Sequence, residues 1–353
     1  MKIFLSILFT SILGLGYSQS ERNYKPKDFK NEWKVNPIQF DQPLLSLIDS
    51  LEKKTYKSID GILIIKNDSL IFEEYFNGWN EWLHHDTRSA TKSITSIILG
   101  KCIDNGYLKS ENEKINQFFD LELSDSLLIK DIIMMRSGID CDDWTKSCGN
   151  EQNMASSKNW DKHILTCPQI DSPGTNFRYC TGSFNLLGKI IEVSAKTSLQ
   201  KYSKDSIFNV MNIQDYNWYT NTFNNKPYLG GGLSLTLRDF SKFGLLVMNN
   251  GQYQGNQIIS HQWMNKSINS AIPINEKSAF SYGYGWWVKK HMHNSETYNV
   301  ILAKGNGGQL IMIIKELSIV VALLGHGYGN SSIENEQPFK ILNHVLESRI
   351  KEL

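Results

Sequence analysis

The chain has 353 residues, 41% hydrophobic and 21% charged, with a formal net charge of +1. The composition is that of an ordinary globular protein, and the length suffices for one large domain or two interleaved ones with a well-buried core. Near-neutral charge without a basic, aromatic-interleaved stripe argues against a nucleic-acid partner.

Lys2, the apolar run Ile3 to Leu15 and the small residues Gly16 and Ser18 read as a signal peptide cut after Ser18. Residues 1–18 are then removed and the mature chain is exported, periplasmic or secreted. The run falls well short of the ~20 residues that span a bilayer. With no Cys after the cut to carry a lipid and no later apolar span, no stable membrane anchor is expected.

Residues 19–41 are polar, with Pro26 and Pro37, and read as an extended arm. Pro43 opens an amphipathic helix over Leu44 to Lys54. Gly61 to Phe76 alternates as a β-hairpin turning at Asn67-Asp68-Ser69. Further helices are expected over Ser89 to Asn105, Leu127 to Met135, Ser183 to Ser194 and Asp239 to Asn249, the last started by Thr236 or Asp239. Strands are expected at Gly283 to Val288, Leu310 to Ile314 and Ile319 to Leu324, with Lys315 to Ser318 as a hairpin loop, before a final helix from Glu336 to Ile350.

Strands, then helices, then strands and a helix make an α+β layout. The simplest assembly joins residues 42–88 and about 280–353 in one antiparallel sheet flanked by helices. Residues 89–279 are then a mainly helical insertion, with the site in the cleft between the two parts.

Cys102, Cys141, Cys148, Cys167 and Cys180 allow one or two disulfides in an oxidising compartment, and the odd count leaves a free thiol. A pair among Cys141, Cys148 and Cys167 is favoured, while Cys180 reads as a bland buried thiol, having no His nearby to activate it.

Ser89-Ala90-Thr91-Lys92 is the strongest chemical signal. A Ser hydroxyl needs a base to become a nucleophile, and positions i and i+3 share a helix face. A helix start adds partial positive charge and free N–H groups that can hold an oxyanion. The same spacing recurs at Ser50 and Lys53, Ser198 and Lys201, and Ser348 and Lys351, which read as solvated helix faces. Only Ser89 opens an apolar helix. Tyr179, between Pro173-Gly174 and a helix, is placed to work as a general base or acid beside Lys92. Asn306-Gly307-Gly308-Gln309 stands just before a strand, where adjacent glycines admit close approach to the backbone.

Together these motifs resemble the serine β-lactamase-related hydrolases of the class C type, with their penicillin-binding and esterase relatives. The resemblance runs from about Gly61 to about Leu324. It includes Pro173-Gly-Thr-Asn-Phe-Arg-Tyr179, Asn185-Leu-Leu-Gly188, Met135-Arg-Ser-Gly-Ile139, Gly230-Gly-Gly-Leu-Ser-Leu-Thr-Leu-Arg-Asp-Phe240 and Tyr282-Gly-Tyr-Gly-Trp-Trp287. It implies Ser89 as the acylated nucleophile, Lys92 and Tyr179 as base and acid, and the N–H groups of Ser89 and Gln309 as oxyanion donors. Asn306, Gly307, Gly308 and Thr181 fall on substrate-binding positions. Two departures stand out. Thr181 replaces the Asn of Tyr-x-Asn, and neutral Asn306 falls where the third motif carries a cation. Whether Lys304 supplies that charge depends on its aim.

The expected activity is hydrolysis of a small ester, amide or short peptide, with no cofactor and no metal. β-Lactamase or D-amino-acid peptidase activity, or a penicillin-binding-like sensor without turnover, are the alternatives. A Gly-x-Ser-x-Gly elbow is missing, since Gly232-Leu-Ser-Leu-Thr236 fails at its last position. His84-His85-Asp86 and His291-Met-His293 lack a metalloprotease spacing.

Overall fold

Asn67 and Asp68 both adopt positive φ, 49° and 58°, the backbone of a two-residue hairpin turn whose twist matches its strands. They join β1 (Ile59–Lys66) to β2 (Ser69–Tyr75). In this computed structural model, which describes residues 23–26, 33–119 and 126–353, that hairpin adds to a C-terminal meander. Its strands are β3 (Ile272–Pro273), β4 (Phe280–Tyr282), β5 (Trp287–His293), β6 (Glu296–Gly305), β7 (Gln309–Ile314) and β8 (Ile319–Gly325). All pair antiparallel into one eight-stranded sheet in the order β3-β4-β5-β6-β7-β8-β1-β2. The seam between the chain's two ends is β8 on β1, with Val320 opposite Ile65 and Leu323 opposite Ile62.

Every residue of β1, β7 and β8 is buried, because helices cover both faces; the sequence there is a continuous apolar run rather than an alternation. Helix α1 (Gln42–Glu52) packs with α5 (Gln337–Glu347), and α4 (Leu237–Met248) lies on β1, β7 and β8. Thr236 caps α4, accepting from Asp239 N at 3.1 Å. This helix belongs to the stretch read as the helical insertion, yet it packs on the sheet. A Cβ on its Gly244 would fall 2.6 Å from Val320.

Helix α2 (Thr91–Asp104) is buried from Thr91 to Gly100 and follows a 3-10 turn over Arg88–Ala90. Against it lies α3 (Thr181–Ala195). The chain ends in a 3-10 turn, Arg349–Glu352.

The structure corrects several boundaries. Gly283 to Val288 is not one strand: the chain turns between β4 and β5, with Gly283 N bonded to Trp286 O at 2.8 Å and Gly285 at φ 76°. The helix expected over Leu127 to Met135 is only Ile129–Ile133, since Met135 takes a left-handed φ of 58°. The ten-residue strand β6 was not read from sequence; its first half mixes polar and aromatic residues without a clean period.

Cys148 pairs with Cys167, as the clustering favoured, and Cys141 pairs with Cys180. Cys180 is therefore a cross-link and not an inert thiol. Cys102 is free and buried, its thiol pushed up to about 12 by burial. Among the described residues no helix is long and apolar enough to cross a membrane. The expected signal peptide lies outside the described residues.

Candidate active site

Ser89 is presented by a backbone held on three sides. His85–Asp86 pairs with Leu233–Leu235 in a small three-stranded sheet. Thr87 then sends both its N–H and its hydroxyl to Leu233 O, at 2.9 and 2.7 Å. Arg88 adopts φ 50°, a left-handed conformation costly for a side-chain-bearing residue. The Asp86 carboxylate accepts the Arg88 N–H at 2.8 Å and sustains it. Ser89 is the middle residue of the 3-10 turn, half-buried and lining the cleft.

One turn on, Lys92 is 1% exposed. Its Nζ lies 3.1 Å from Ser89 Oγ, 2.9 Å from Thr181 Oγ1 and 2.5 Å from Gly230 O. Two of its tetrahedral positions are committed to Thr181 and Gly230 as donors. The third faces Ser89, where an ammonium donates to the hydroxyl and a neutral amine accepts its proton. The same spacing elsewhere carries no such arrangement: Lys53 pairs with Asp49, Lys201 with Asp205 and Lys351 with Glu296.

Tyr179 is nearly buried, its ring stacked on Trp144 at 5.2 Å and on Trp287 at 5.8 Å. Lys92 Nζ sits 4.9 Å from the ring centroid. The tyrosine thus meets the lysine with its face; among the described residues its hydroxyl hydrogen-bonds neither Ser89 nor Lys92. Thr181, in the place of the family's Asn, accepts from Lys92 through its hydroxyl. Asn185 holds the opposing loop, its Oδ1 accepting the N–H groups of Leu229 and Gly230 at 2.8 and 3.2 Å, which aims the Gly230 carbonyl at Lys92.

The third motif is placed differently from its reading. Gly305, ending β6, packs so closely on the turn that carries Ser89 that a Cβ would meet Thr87 O at 2.3 Å. Asn306 lines the cleft beside Ser89, and its Oδ1 accepts Gly329 N–H at 3.0 Å. Gly307 and Gly308 form the turn at φ 91° and 96°. Gln309 is fully buried and outside the cleft lining. Its amide bonds both Gly325 N and Gly325 O, joining β7 to β8. Gln309 is thus a sheet brace; the backbone beside Ser89 is Gly305-Asn306, and the Asn306 N–H makes no hydrogen bond among the described residues.

Lys304 reaches the cleft wall. Its Nζ is 2.6 Å from Asn335 Oδ1 and lies above the Phe280 and Trp287 rings. Burial lowers its pKa, and the nearby Glu334 opposes that.

Ser89 stands where two lobes meet. One, of about 560 Å3, is walled by Trp218, Tyr219 and Tyr228 with the Asp86–Arg88 pair. The other, of about 420 Å3, is walled by Trp144, Tyr179, Trp287 and Lys304. Glu151 borders both and accepts from the Tyr228 hydroxyl.

The histidine pairs lie elsewhere. His84 faces Asp215, His85 is buried on Asp60, His291 bonds Asn343 and His293 faces Glu347. Among the described residues no three His, Cys, Asp or Glu side chains are grouped to hold a metal.

Sequence reasoning missed Gly230, Asp143, Glu151, Trp144 and Trp287 as parts of the site. Gly230 and Trp287 fell within stretches noted for their resemblance; the others carried no motif.

The family model described as Beta-lactamase matches residues 54–345. The chain belongs to the beta-lactamase family. This beta-lactamase family member is 22% identical over 268 residues to the 6-aminohexanoate-dimer hydrolase of Paenarthrobacter ureafaciens, spanning 69% of this chain and 68% of that protein. Its fold is shared by a penicillin-binding protein from Bacillus halodurans, at TM-score 0.67, 15% identity and coverage of 84% and 99% of the two chains. It is shared too by the D-amino acid amidase from Ochrobactrum anthropi SV3, at TM-score 0.66, 14% identity and coverage of 87% and 98%. Family relatives thus include hydrolases, on a common α+β scaffold.

Proposed function

We propose that this family member is a serine hydrolase acting on small ester or amide bonds through an acyl-enzyme on Ser89. The observation that carries the reading is Lys92 Nζ, buried and fixed by Thr181 and Gly230, with its remaining position on Ser89 Oγ. Lys92 takes the Ser89 proton as Oγ attacks the carbonyl. The N–H groups of Ser89 and Asn306, at the junction of the two lobes, hold the oxyanion. Tyr179, beside Lys92, assists return of a proton to the leaving group, and water then cleaves the ester to Ser89. The Cys141–Cys180 and Cys148–Cys167 disulfides support an exported protein.

Short esters and small amides are proposed to be turned over ahead of β-lactams. Asn306 offers a substrate carboxylate no charge, and Lys304 is already engaged by Asn335. Ser89→Ala is expected to abolish hydrolysis of p-nitrophenyl acetate, while Ser50→Ala and Ser198→Ala retain it. Full activity in Ser89→Ala would overturn the reading. Prolonged EDTA treatment is expected to leave the rate unchanged, and loss restored by zinc would contradict it.

A further inference from the structure

Thr181 poses a problem of proton accounting. Its hydroxyl accepts from Lys92 Nζ at 2.9 Å, so its own proton needs an acceptor on the other side. The carboxylate at hand is Asp143, which takes the Thr181 N–H at 2.7 Å and is favoured in its charged form by the Thr181 side chain. Hydrogen bonds link Ser89 Oγ, Lys92 Nζ and Thr181 Oγ1, and the Thr181 N–H carries the link on to the Asp143 carboxylate. The Asn of the common pattern needs no such partner, because an amide oxygen accepts with no proton of its own to place.

The surroundings of Asp143 hold it there by other means than its carboxylate. Its N–H donates to Tyr179 O at 2.8 Å. The Cys141–Cys180 disulfide ties the two segments covalently, one residue before Thr181 and two before Asp143. Trp144, the next residue, stacks on Tyr179. The carboxylate's second oxygen accepts Glu151 N–H at 2.7 Å. Burial pushes the Asp143 carboxyl up, while Lys92 and the Thr181 hydrogen bonds pull it back.

We propose that Asp143 is a positioning residue of this site: it orients the Thr181 hydroxyl to accept from Lys92, and so keeps the remaining position of Lys92 on Ser89. The assignment rests on the Ser89 acyl-enzyme reading above. It also accounts for Thr in place of Asn, because a hydroxyl backed by a carboxylate is an acceptor of fixed direction.

The test is a set of variants assayed for the acylation burst and steady-state turnover of p-nitrophenyl acetate, with thermal melting alongside. Asp143→Asn and Thr181→Val are each expected to lower the acylation rate about tenfold or more, the scale of one lost charge-assisted contact, with KM changed by less than about threefold. Thr181→Ser, which keeps the hydroxyl, is expected to stay within about threefold of wild type. The double variant Asp143→Asn/Thr181→Val is expected to be no slower than Thr181→Val alone, because Asp143 acts through Thr181. Wild-type kcat in Asp143→Asn, independent multiplying losses in the double variant, or equal losses in Thr181→Ser and Thr181→Val would each overturn the assignment. The Thr181 pair leaves the carboxylate in place and decides the matter even where Asp143→Asn folds poorly. Ser89→Ala separates the two claims: residual activity there sinks the hydrolase reading itself, whereas a dead Ser89→Ala with unaffected Asp143→Asn and Thr181→Val sinks only this inference.

Discussion

Asp60 shows how one buried side chain holds several elements. It is 1% exposed and accepts from His85 Nε2 at 3.1 Å, His326 Nδ1 at 2.8 Å and Asn77 Nδ2 at 3.2 Å. Burial raises its pKa, but these hydrogen bonds outweigh burial and hold the carboxyl below its ordinary value. A folded-state pKa below the unfolded one contributes stability above the unfolded value, and that contribution is lost as pH falls through the folded one. Asp60→Asn is therefore expected to cost about 1–3 kcal/mol at neutral pH. Its melting temperature should fall less steeply than wild type's below about pH 4. Parallel acid-side slopes would count against this. Lys304 gives a second prediction. Lys304→Met is expected to leave the ratio of nitrocefin to p-nitrophenyl acetate kcat/KM within about threefold of wild type, because Lys304 is engaged by Asn335; a drop of about tenfold, the scale of one charge-assisted hydrogen bond, would show that Lys304 meets the substrate carboxylate. At this scale the grouping of Ser89, Lys92, Tyr179 and Thr181 around one cleft was legible, because the motifs that carry them resemble those of one family. Gly230 was not, since it contributes a carbonyl that any residue carries. Nor was Asp143, one of three acids among Asp140, Asp142 and Asp143, which no spacing singles out.

Among the elements, α2 decides where Lys92 stands against Ser89. Its Ser93 hydroxyl donates to Gly285 O at 2.6 Å and its Thr95 hydroxyl to Leu229 O at 2.9 Å. Buried polar groups thus fasten it to both flanking loops. At Gly100 it meets Trp263, where a Cβ would fall 2.3 Å from the indole, whose Nε1 donates to Ser96 O. Gly100→Ala is expected to destabilise the protein by about 1–3 kcal/mol through overpacking, despite the better helix propensity of Ala. Urea unfolding measures this, and unchanged stability would contradict the packing. The starts of α2, α3 and α4 were readable to within about two residues, because Ser, Thr and Pro-Gly signals mark them. Strand β6 was not readable, although it delivers Lys304 and Gly305. The Gln309 assignment failed for a related reason: the turn over residues 306–308 sets which residue faces Ser89, and the motif alone does not fix that register.

For the molecule as a whole, the α+β layout with the chain's two ends in one sheet was legible. Apolar runs at Gly61 to Ile65 and Ile319 to Leu324 could bury themselves only against partners of the same kind. The boundary between sheet and helical parts was less so, because α4, amphipathic like its neighbours in sequence, packs on the sheet. The central claim is that this assembly makes Ser89 a nucleophile and leaves other serines inert. Peptide mapping by mass spectrometry after reaction with a fluorophosphonate tests it most directly. The account predicts a single stoichiometric adduct on the peptide carrying Ser89, absent when Lys92 is changed to Ala. An adduct on another residue, or none on folded protein, would contradict it.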